Sequence, residues 1–377
     1  MLSADTLQVL TSGVTNITWQ GVVMILAGLF LLYLAIVKEY EPLLLVPISI
    51  GCILANLPLS PMIAEGGLLV RLYGFGINGE LFPLLIFIGI GALTDFGPLL
   101  ENPRLVLLGG AGQFGIFLTL LLALILGFTR PEAASIGIIG AIDGPTSIYV
   151  SSILAPHLLG PITVAAYSYM SLVPIIMPPV IKLLTTQRER RIRMPYTKRD
   201  ISHRIRVMFP IGSTIFVGIL IPYALPLVGA FMLGNLLKES KVVDRLASMA
   251  SNELANIVTL FLGLAIGSTM AGETFLNYQT VYILILGLAA FALDAAAGVL
   301  FAKLLNVIGG GNSLNPMIGA AGISAFPMAA RVVQKMAADE DFENFILMHA
   351  MGANGAGQLA SAVAGGVMVA LMIQYAV

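Results

Sequence analysis

Long apolar runs separated by short polar stretches dominate the chain. A run of about 20 apolar residues is long enough for one helix to cross a lipid bilayer. The pattern therefore predicts an all-α polytopic membrane protein with roughly ten or eleven transmembrane helices. The predicted crossings are residues 20–38, 42–58, 82–100, 104–128, 133–155, 158–183, 206–237, 254–271, 279–305, 313–335 and 345–374, of which 206–237 is long enough to be bent or split.

The composition agrees with a membrane protein. Of the 377 residues, 58% are hydrophobic and 10% are charged, whereas soluble domains carry about 25% charged residues. The net charge of −1 and the lack of a basic domain argue against a nucleic-acid partner. The single cysteine, Cys52, and three scattered histidines exclude a disulfide framework and a metal cluster built on thiolates or histidines.

A basic loop predicts the orientation of the chain. Residues 182–206 contain nine of the nineteen Lys and Arg residues. Basic loops between membrane spans are normally cytoplasmic, and a patch that binds lipid or nucleic acid is the less common alternative. The predicted organisation is N-terminal spans at 1–80, a first repeat at 81–183, a cytoplasmic basic loop at 184–205 and a second repeat at 206–377.

The two halves around this loop are weakly similar. Residues 90–102 match 266–277, and the triplet at 143–145 matches 315–316 at nearly the same offset. Chance similarity between glycine-rich apolar segments is the alternative to a duplication. Many transporters contain inverted repeats with the binding site between them.

Two of the predicted spans contain helix breakers. In 137–147, Asp143 is followed by Gly144-Pro145, and in 309–324 three glycines precede Asn315-Pro316. Proline inside a helix removes a backbone donor, and unpaired backbone groups in lipid cost several kcal/mol each. We therefore expect two discontinuous helices that meet at a site at mid-membrane depth. A kinked helix packed through its glycines is the alternative.

Oxygen-bearing side chains near these breaks are candidate ion ligands. A carboxylate in the membrane costs at least about 2.5 kcal/mol on insertion scales, so Asp143 should be compensated by a cation, a proton or an opposite charge. Together with Thr146 and Ser147 it offers hard oxygen ligands, which suit sodium or a proton. Asp95 is a second buried candidate. Asp294 is a third, with a hydrogen-bonding role inside the bundle as the alternative.

Four further polar residues have two interpretations each. Arg331 could bind a carboxylate or phosphate through its guanidinium, or extend to the surface. Tyr167 and Tyr169 could form an interfacial belt or face inward between prolines. Asn354, in a polar patch of the last span, could support the site or allow close helix packing.

Several ordered motifs, which extend from about residue 80 to the end of the chain, are similar to one known family. They resemble the beta subunits of the sodium-translocating biotin-dependent decarboxylases, which act on oxaloacetate, methylmalonyl-CoA, glutaconyl-CoA or malonate. The motifs are Leu93–Pro98, Gly140–Thr146, Ala165–Met170, Gly311–Pro316, Ile323–Arg331 and His349–Gln358.

The resemblance implies a function and a set of site residues. A subunit of this kind decarboxylates carboxybiotin, consumes a proton and exports sodium. Asp143 and Tyr169 match the pair that handles sodium and the proton, and we expect Arg331 to orient the carboxylate of carboxybiotin. The resemblance adds Asn315, Gly319 and Ser324 to the sodium site, with Asp95, Thr146 and Asn354 as accessory candidates.

The resemblance also implies cofactors and partners. In this enzyme class biotin is attached to the lysine of a Met-Lys-Met triplet, which is absent here because Gln334 precedes Lys335-Met336. We therefore expect Na⁺ as the transported ion and biotin supplied by a partner. The expected partners are a carboxyltransferase (alpha) subunit and biotin carrier (gamma/delta) subunits in a bacterial or archaeal cytoplasmic membrane, with self-association left open. The chain looks more like the acyl-CoA members than the oxaloacetate members, because it lacks a long extra N-terminal region.

Two other functions compete with this interpretation. A secondary sodium/proton antiporter or carboxylate transporter with inverted repeats needs the same broken helices and the same buried aspartate. The residues alone barely separate it from a pump, and the motif resemblance favours the pump. A structural membrane anchor fits poorly, since an anchor needs neither feature.

Overall fold

The computed structural model describes residues 12–40, 42–196, 200–309, 311 and 313–375, and every regular element in these ranges is helical. Six of the helices are long and apolar enough to cross a membrane, and the number rises to eight if two sharply bent helix pairs are each one span. The all-α polytopic class is therefore confirmed. By this test of length and composition the described residues give six to eight candidate spans, against the ten or eleven predicted from the apolar runs.

The described residues before the basic loop form helices α1 to α11. The side chain of Thr18 caps α1 by accepting a hydrogen bond from the backbone N–H of Gly21 (3.1 Å). These helices are α1 Trp19–Ile36, α2 Pro42–Asn56, α3 Leu68–Leu72, α4 Leu81–Leu93, α5 Gly97–Glu101, α6 Leu105–Ala111, α7 Phe114–Ile125, α8 Arg130–Gly137, α9 Gly144–Leu154, α10 Leu159–Ser171 and α11 Val173–Leu184.

Helices α12 to α21 follow in the basic loop and the second half. The predicted run at 206–237 is split into two helices by the turn Pro222–Ala224, where proline begins the new element. These helices are α12 Gln187–Arg190, α13 His203–Leu220, α14 Leu225–Ser240, α15 Asp244–Met249, α16 Ala255–Ser268, α17 Gly272–Phe275, α18 Tyr278–Ile308, α19 Met317–Ala320, α20 Met328–Glu340 and α21 Leu347–Met372.

Helices α8 and α9 form a hairpin. Nε2 of His157, just after α9, lies 2.8 Å from Oε1 of Glu132 at the start of α8, so both ends of the segment are together. The run at 133–155, expected to cross the membrane, therefore enters and leaves at the same end of the molecule. Every residue from 133 to 151 is buried, which means that the hairpin is enclosed by the rest of the chain.

Helices α19 and α20 form a second hairpin, so the run at 313–335 is not a crossing either. Both of its ends contact Arg190: Nδ2 of Asn315 donates to the Arg190 carbonyl (2.9 Å), and Nε of Arg190 donates to Glu340 (2.6 Å). The helix is interrupted at 321–327, later than the Asn-Pro pair in the predicted break at 309–324. Residues 310 and 312 of that predicted range lie outside the described residues.

The two hairpins enter from opposite ends. We call the end that carries residues 185–196 the loop end, and the other the far end. Helix α21 starts at the loop end, where Nδ2 of Asn344 donates to the Arg190 carbonyl (3.2 Å). It finishes at the far end, where the Tyr375 ring lies 4.5 Å from the guanidinium carbon of Arg130. The first hairpin, which begins at Arg130, therefore enters from the far end.

In two helix pairs, α4 with α14 and α16 with α2, a glycine of one helix lies directly against the backbone of the other. A Cβ added to Gly91 in α4 would lie 1.9 Å from the Phe231 carbonyl of α14, and one added to Gly267 in α16 would lie 2.1 Å from the Ile48 carbonyl of α2. Small residues of this kind let helix backbones touch in membrane proteins. Gly91 and Gly267 are matched positions of the two similar segments, although a common repeat remains a prediction.

Candidate functional site

The tips of the two hairpins meet inside the bundle. The backbone N–H of Ser324 donates to the carbonyl of Ala141 (3.1 Å). On the first hairpin, Ile142 takes a left-handed conformation (φ 52°, ψ 45°), which ends the 3-10 turn before Asp143 and falls inside the predicted break at 137–147. The structure therefore brings both interrupted segments to one place.

Asp143 lies at this meeting point and is 2% exposed. It caps α9, whose first turn supplies the hydroxyl of Thr146 as a donor to Oδ2 (2.6 Å). Helix α21 supplies two more donors to the same oxygen, Nε2 of Gln358 (2.9 Å) and the hydroxyl of Ser361 (2.7 Å). Gln358 and Ser361 are three residues apart, so they share one face of α21.

All the side-chain donors to Asp143 are neutral groups. No Lys, Arg or His in the described ranges forms an ion pair with Asp143. Among the described residues, its Oδ1 has only the backbone N–H of Thr146 as a partner, at 3.4 Å. The carboxylate is therefore oriented by hydrogen bonds, and its charge is left to a cation or a proton.

Two side chain-to-backbone hydrogen bonds hold the tip of the second hairpin against α21. Nδ2 of Asn354 donates to the Ile323 carbonyl (2.6 Å), and the hydroxyl of Ser324 donates to the Gly357 carbonyl (2.9 Å). The first bond satisfies a backbone carbonyl of the interrupted segment, as a buried break requires, and the second ties the tip to the backbone of α21.

Two buried amide oxygens near this tip lack a hydrogen-bond donor among the described residues. They are Oδ1 of Asn354 and Oε1 of Gln113, whose Nε2 donates to the Gly322 carbonyl (3.3 Å). Both residues are buried. A buried oxygen without a donor calls for an explanation, and hard oxygens of this kind suit sodium. The sequence did not single out Gln113 or Ser361, because neither is next to a helix breaker.

Tyr167 lies next to Asp143. The ring of Tyr167 packs against Gly144, where an added Cβ would lie 2.2 Å from Cζ of the ring. Its buried hydroxyl has no partner among the described residues. The hydroxyl of Tyr169 instead donates to the Leu284 carbonyl of α18. Both tyrosines are buried, which excludes the interfacial belt.

Asn315 and Gly319 have structural contacts away from Asp143. Nδ2 of Asn315 donates to the carbonyls of Arg190 and Ile192, both at 2.9 Å, and Oδ1 accepts from the N–H of Met317 (3.1 Å). A Cβ on Gly319 would lie 2.0 Å from the Gly298 carbonyl of α18. Of the sodium ligands expected from the resemblance, only Asp143 and Ser324 lie at the hairpin tips.

Arg331 and Asp95 are both outside the buried site. Arg331 is exposed on α20 and forms no ion pair within the described ranges. The expectation that Asp95 is buried is wrong, because its side chain is 45% exposed and lies 3.4 Å from Nη1 of Arg206. It follows the end of α4, where the chain emerges beside the basic residues.

The basic loop is fastened to the end of the second hairpin by ion pairs. Arg193 donates from Nε and Nη2 to Asp341 (2.6 and 2.9 Å) and from Nη1 to Glu343 (2.8 Å). The Arg193 guanidinium holds the pKa of Asp341 below its ordinary value. Lys303 of α18 pairs with Glu189 at 3.0 Å. The charge of Arg193 is therefore balanced by carboxylates of the same chain.

Comparison with known proteins identifies the family. A family model described as the Na⁺-transporting oxaloacetate decarboxylase beta subunit matches residues 20–372. The chain belongs to this family. The decarboxylase beta subunits similar to it include the glutaconyl-CoA decarboxylase subunit beta of Acidaminococcus fermentans, with 54% identity over 361 residues and 96% of each chain covered.

Two other relatives carry different substrate names. The methylmalonyl-CoA decarboxylase subunit beta of Veillonella parvula is 54% identical over 361 residues, covering 96% of this chain and 95% of the relative. The oxaloacetate decarboxylase beta chain of Klebsiella pneumoniae is 46% identical over 408 residues, covering 92% and 94%. These decarboxylase beta subunits are components of multi-subunit enzymes. Membership confirms the sodium-pumping decarboxylase interpretation over the antiporter and the anchor.

Proposed function

We propose that this beta subunit decarboxylates carboxybiotin and uses the reaction to export Na⁺ across a bacterial or archaeal cytoplasmic membrane. The observation that carries the proposal is the position of Asp143. A buried carboxylate, which has no ionic partner in the part of the chain that the structure describes, lies where hairpins from opposite ends of the molecule meet. Hairpin tips that meet in the bundle give an ion one binding place that can be reached from either end.

Sodium is the cargo, and the oxygens around the tips fit it. Asp143 supplies the negative charge, and the donor-free oxygens of Asn354 and Gln113 supply neutral hard ligands, which sodium prefers to soft ones. Ser324 and Thr146 are accessory hydroxyls at the two tips. The described residues contain no cluster of three or more His, Cys, Asp or Glu that could hold a metal ion, so this donor set favours a weakly held monovalent cation.

One carboxylate can couple sodium to a proton. Asp143 binds either ion, and the neutral donors Thr146, Gln358 and Ser361 keep it in place in both states. Loss of CO₂ breaks the C–N bond of carboxybiotin, and the ureido nitrogen then takes a proton. A proton that leaves Asp143 for this reaction frees the carboxylate for the next sodium ion. Tyr167 lies beside Asp143 and is a candidate to pass that proton, in addition to Tyr169.

Carboxybiotin is proposed to enter from the loop end. The many Lys and Arg residues of the loop favour a cytoplasmic position for this end. Arg331 is exposed on α20, nine residues before Glu340 and hence about 13 Å deeper along the helix. Its guanidinium forms no ion pair in the described chain and can bind the carboxylate of carboxybiotin through a bidentate pair of hydrogen bonds.

The partners follow from this chemistry. Biotin would be delivered by a biotin carrier (gamma/delta) subunit after a carboxyltransferase (alpha) subunit has loaded it. We propose an acyl-CoA thioester as the substrate of the whole complex, because identity is 54% to two acyl-CoA decarboxylase subunits and 46% to the oxaloacetate one.

We also propose that the two halves are an inverted repeat. Helices α1 and α13 both contain 18 residues. Nδ2 of Asn56 in α2 donates to the Met270 carbonyl (2.8 Å), and Nδ2 of Asn235 in α14 donates to the Thr94 carbonyl (2.9 Å). Thr94 and Met270 are matched positions of the similar segments 90–102 and 266–277. Hairpins that enter from opposite ends support an inverted relation.

The proposal is tested in proteoliposomes that contain the purified chain. Free carboxybiotin is added, and its decarboxylation and the uptake of ²²Na⁺ are measured for the natural chain, for Asp143→Asn and for Asp339→Asn, an exposed control. We expect sodium-dependent decarboxylation with coupled uptake, lost in Asp143→Asn and retained in the control. Decarboxylation at the normal rate in Asp143→Asn would contradict the proposal.

A further inference from the structure

A second buried carboxyl group, Asp294, lies behind the first hairpin tip and is not part of the site described above. Asp294 is in the middle of α18 and is 0% exposed. One of its oxygens, Oδ1, accepts from the backbone N–H of Gly115 in the first turn of α7. The other, Oδ2, is buried and has no well-formed hydrogen bond among the described residues, and the backbone N–H of Ile116 is the second donor that faces the carboxyl group.

The unpartnered oxygen points at the turn that leads to Asp143. A Cβ added to Gly140 would lie 2.7 Å from Oδ2 of Asp294, and one added to Gly115 would lie 2.7 Å from its carboxyl carbon. The carboxyl group is thus enclosed between two glycines. Gly140 belongs to the 3-10 turn Ile138–Ala141, whose last carbonyl accepts the bond from Ser324.

The surroundings offer no charge to balance an ionised Asp294. Helices α6, α7 and α19 and the turn Ile138–Ala141, which pack on α18, contain no charged or titratable residue. The charged groups on α8 and α11 are at the ends of these helices. Two other titratable groups lie in this region: the ring of Tyr169 is against Gly287, about two turns from Asp294, and Asp143 follows three residues after Gly140. The titratable residues of these packed elements are Arg130, Glu132, Tyr167, Tyr169 and Lys182.

The geometry points to a proton-binding site at Asp294, distinct from the ion site at Asp143. An ionised carboxylate that is buried with one poorly hydrogen-bonded oxygen is costly, and by taking up a proton it becomes a neutral carboxyl group and avoids that cost. We infer that Asp294 carries a proton when the turn at Gly140 lies against α18. This inference deepens the proposed function, because it adds a second proton-holding group next to the moving ion.

Infrared spectroscopy of the purified chain in lipid tests the inference without sodium or carboxybiotin. A protonated buried carboxyl group gives its own C=O band, which we expect at neutral pH in the natural chain, in Asp143→Asn and in the exposed control Asp339→Asn. The band should be absent in Asp294→Asn and shifted in Asp294→Glu. If neither change at Asp294 alters the spectrum, the residue is ionised and the inference is overturned.

Two further measurements separate a proton site from the alternatives. Asp294→Asn imitates the protonated form, so we expect it to remove a loss of thermal stability that the natural chain shows as the pH rises above the range in which an unfolded aspartate ionises. The same variant should bind as many sodium ions per chain as the natural protein. A lower number of bound ²²Na⁺ ions would overturn the inference in favour of a cation at Asp294. If the proposed function is wrong, Asp143→Asn will decarboxylate carboxybiotin at the normal rate. That result is independent of the spectra and stabilities of the Asp294 variants, so the two failures can be told apart.

Discussion

The N–H of Ser324 donates to the Ala141 carbonyl at 3.1 Å, and this bond joins the tips of two hairpins that enter from opposite ends of the molecule. Both residues are adjacent to helix interruptions, so each tip provides a backbone partner for the other. Asp143 comes two residues after Ala141 and is thereby placed between the hairpins and α21. The ion site proposed here depends on this junction.

The donors to Asp143 should control sodium affinity. We expect Ser361→Ala to weaken sodium binding by about 10-fold or more, since a hydrogen bond to a charged group contributes about 1.5–3 kcal/mol. The loss makes protonated Asp143 relatively more favourable, so protons should compete better with sodium. ²²Na⁺ binding at several pH values measures both effects. Ser152→Ala in the outer part of α9 is the control, and equal affinities in the two variants would contradict the role of Ser361.

The donor-free oxygen of Gln113 should also bind sodium. Gln113→Met keeps the length of the side chain and removes the oxygen, so we expect a higher sodium dissociation constant with little change in folding. The lost bond to the Gly322 carbonyl should cost about 1 kcal/mol of stability. Calorimetric sodium titration measures the first effect and thermal unfolding the second. Gln279→Met, at the far end, should bind sodium normally; a normal constant for Gln113→Met as well would remove Gln113 from the site.

Asn315 should act on the basic loop and not on sodium. Because its amide holds the carbonyls of Arg190 and Ile192, we expect Asn315→Ala to speed hydrogen exchange in residues 190–196, with a sodium dissociation constant close to that of the natural chain. Asn344→Ala is a matched comparison, since Nδ2 of Asn344 donates to the same two carbonyls (3.2 and 3.3 Å). Strong loss of sodium binding in Asn315→Ala alone would restore the ligand role implied by the resemblance.

The ion pair between Arg193 and Asp341 should persist across the neutral range. The Arg193 guanidinium lowers the pKa of Asp341 from its ordinary 3.8, so the pair is complete above that value and is lost as the pH falls through the lowered pKa. Spin labels at Arg188 and Phe345, both exposed, report the loop position by electron paramagnetic resonance. We expect a constant distance down to about pH 5 and a broad one in strong acid. Arg193→Gln should give the broad distance at neutral pH; a narrow one would show that other contacts hold the loop.

Much of the architecture could be predicted from the sequence, because hydropathy marks membrane helices and Gly-Pro next to Asp143 marks a break. An apolar run shows that a segment is buried but not whether the chain turns back within it. Hydropathy therefore could not distinguish a crossing from a hairpin at 133–155 or 313–335. The Asn315-Pro316 pair looked like the second break, whereas the chain is interrupted at 321–327, where glycine and serine lie against α21. Those contacts are long-range and leave no local pattern.

The site was predicted less completely than the fold. Asp143, Thr146, Ser324 and Asn354 do lie together, because each is close to a tip or on the face of α21 that covers it. Tyr167 and Tyr169 are two positions apart, and a helix turns by about 200° over that distance, so one of them faces Gly144 and the other faces α18. The sequence alone could not show which tyrosine is next to the aspartate.

Sodium binding to the purified chain, measured together with proton release, tests the ion role of Asp143 most directly. If one carboxylate holds either ion, then adding sodium to the natural chain at mildly acidic pH should release protons as sodium binds, and Asp143→Asn should show neither effect. Sodium binding of normal affinity by Asp143→Asn, with or without proton release, would contradict the account.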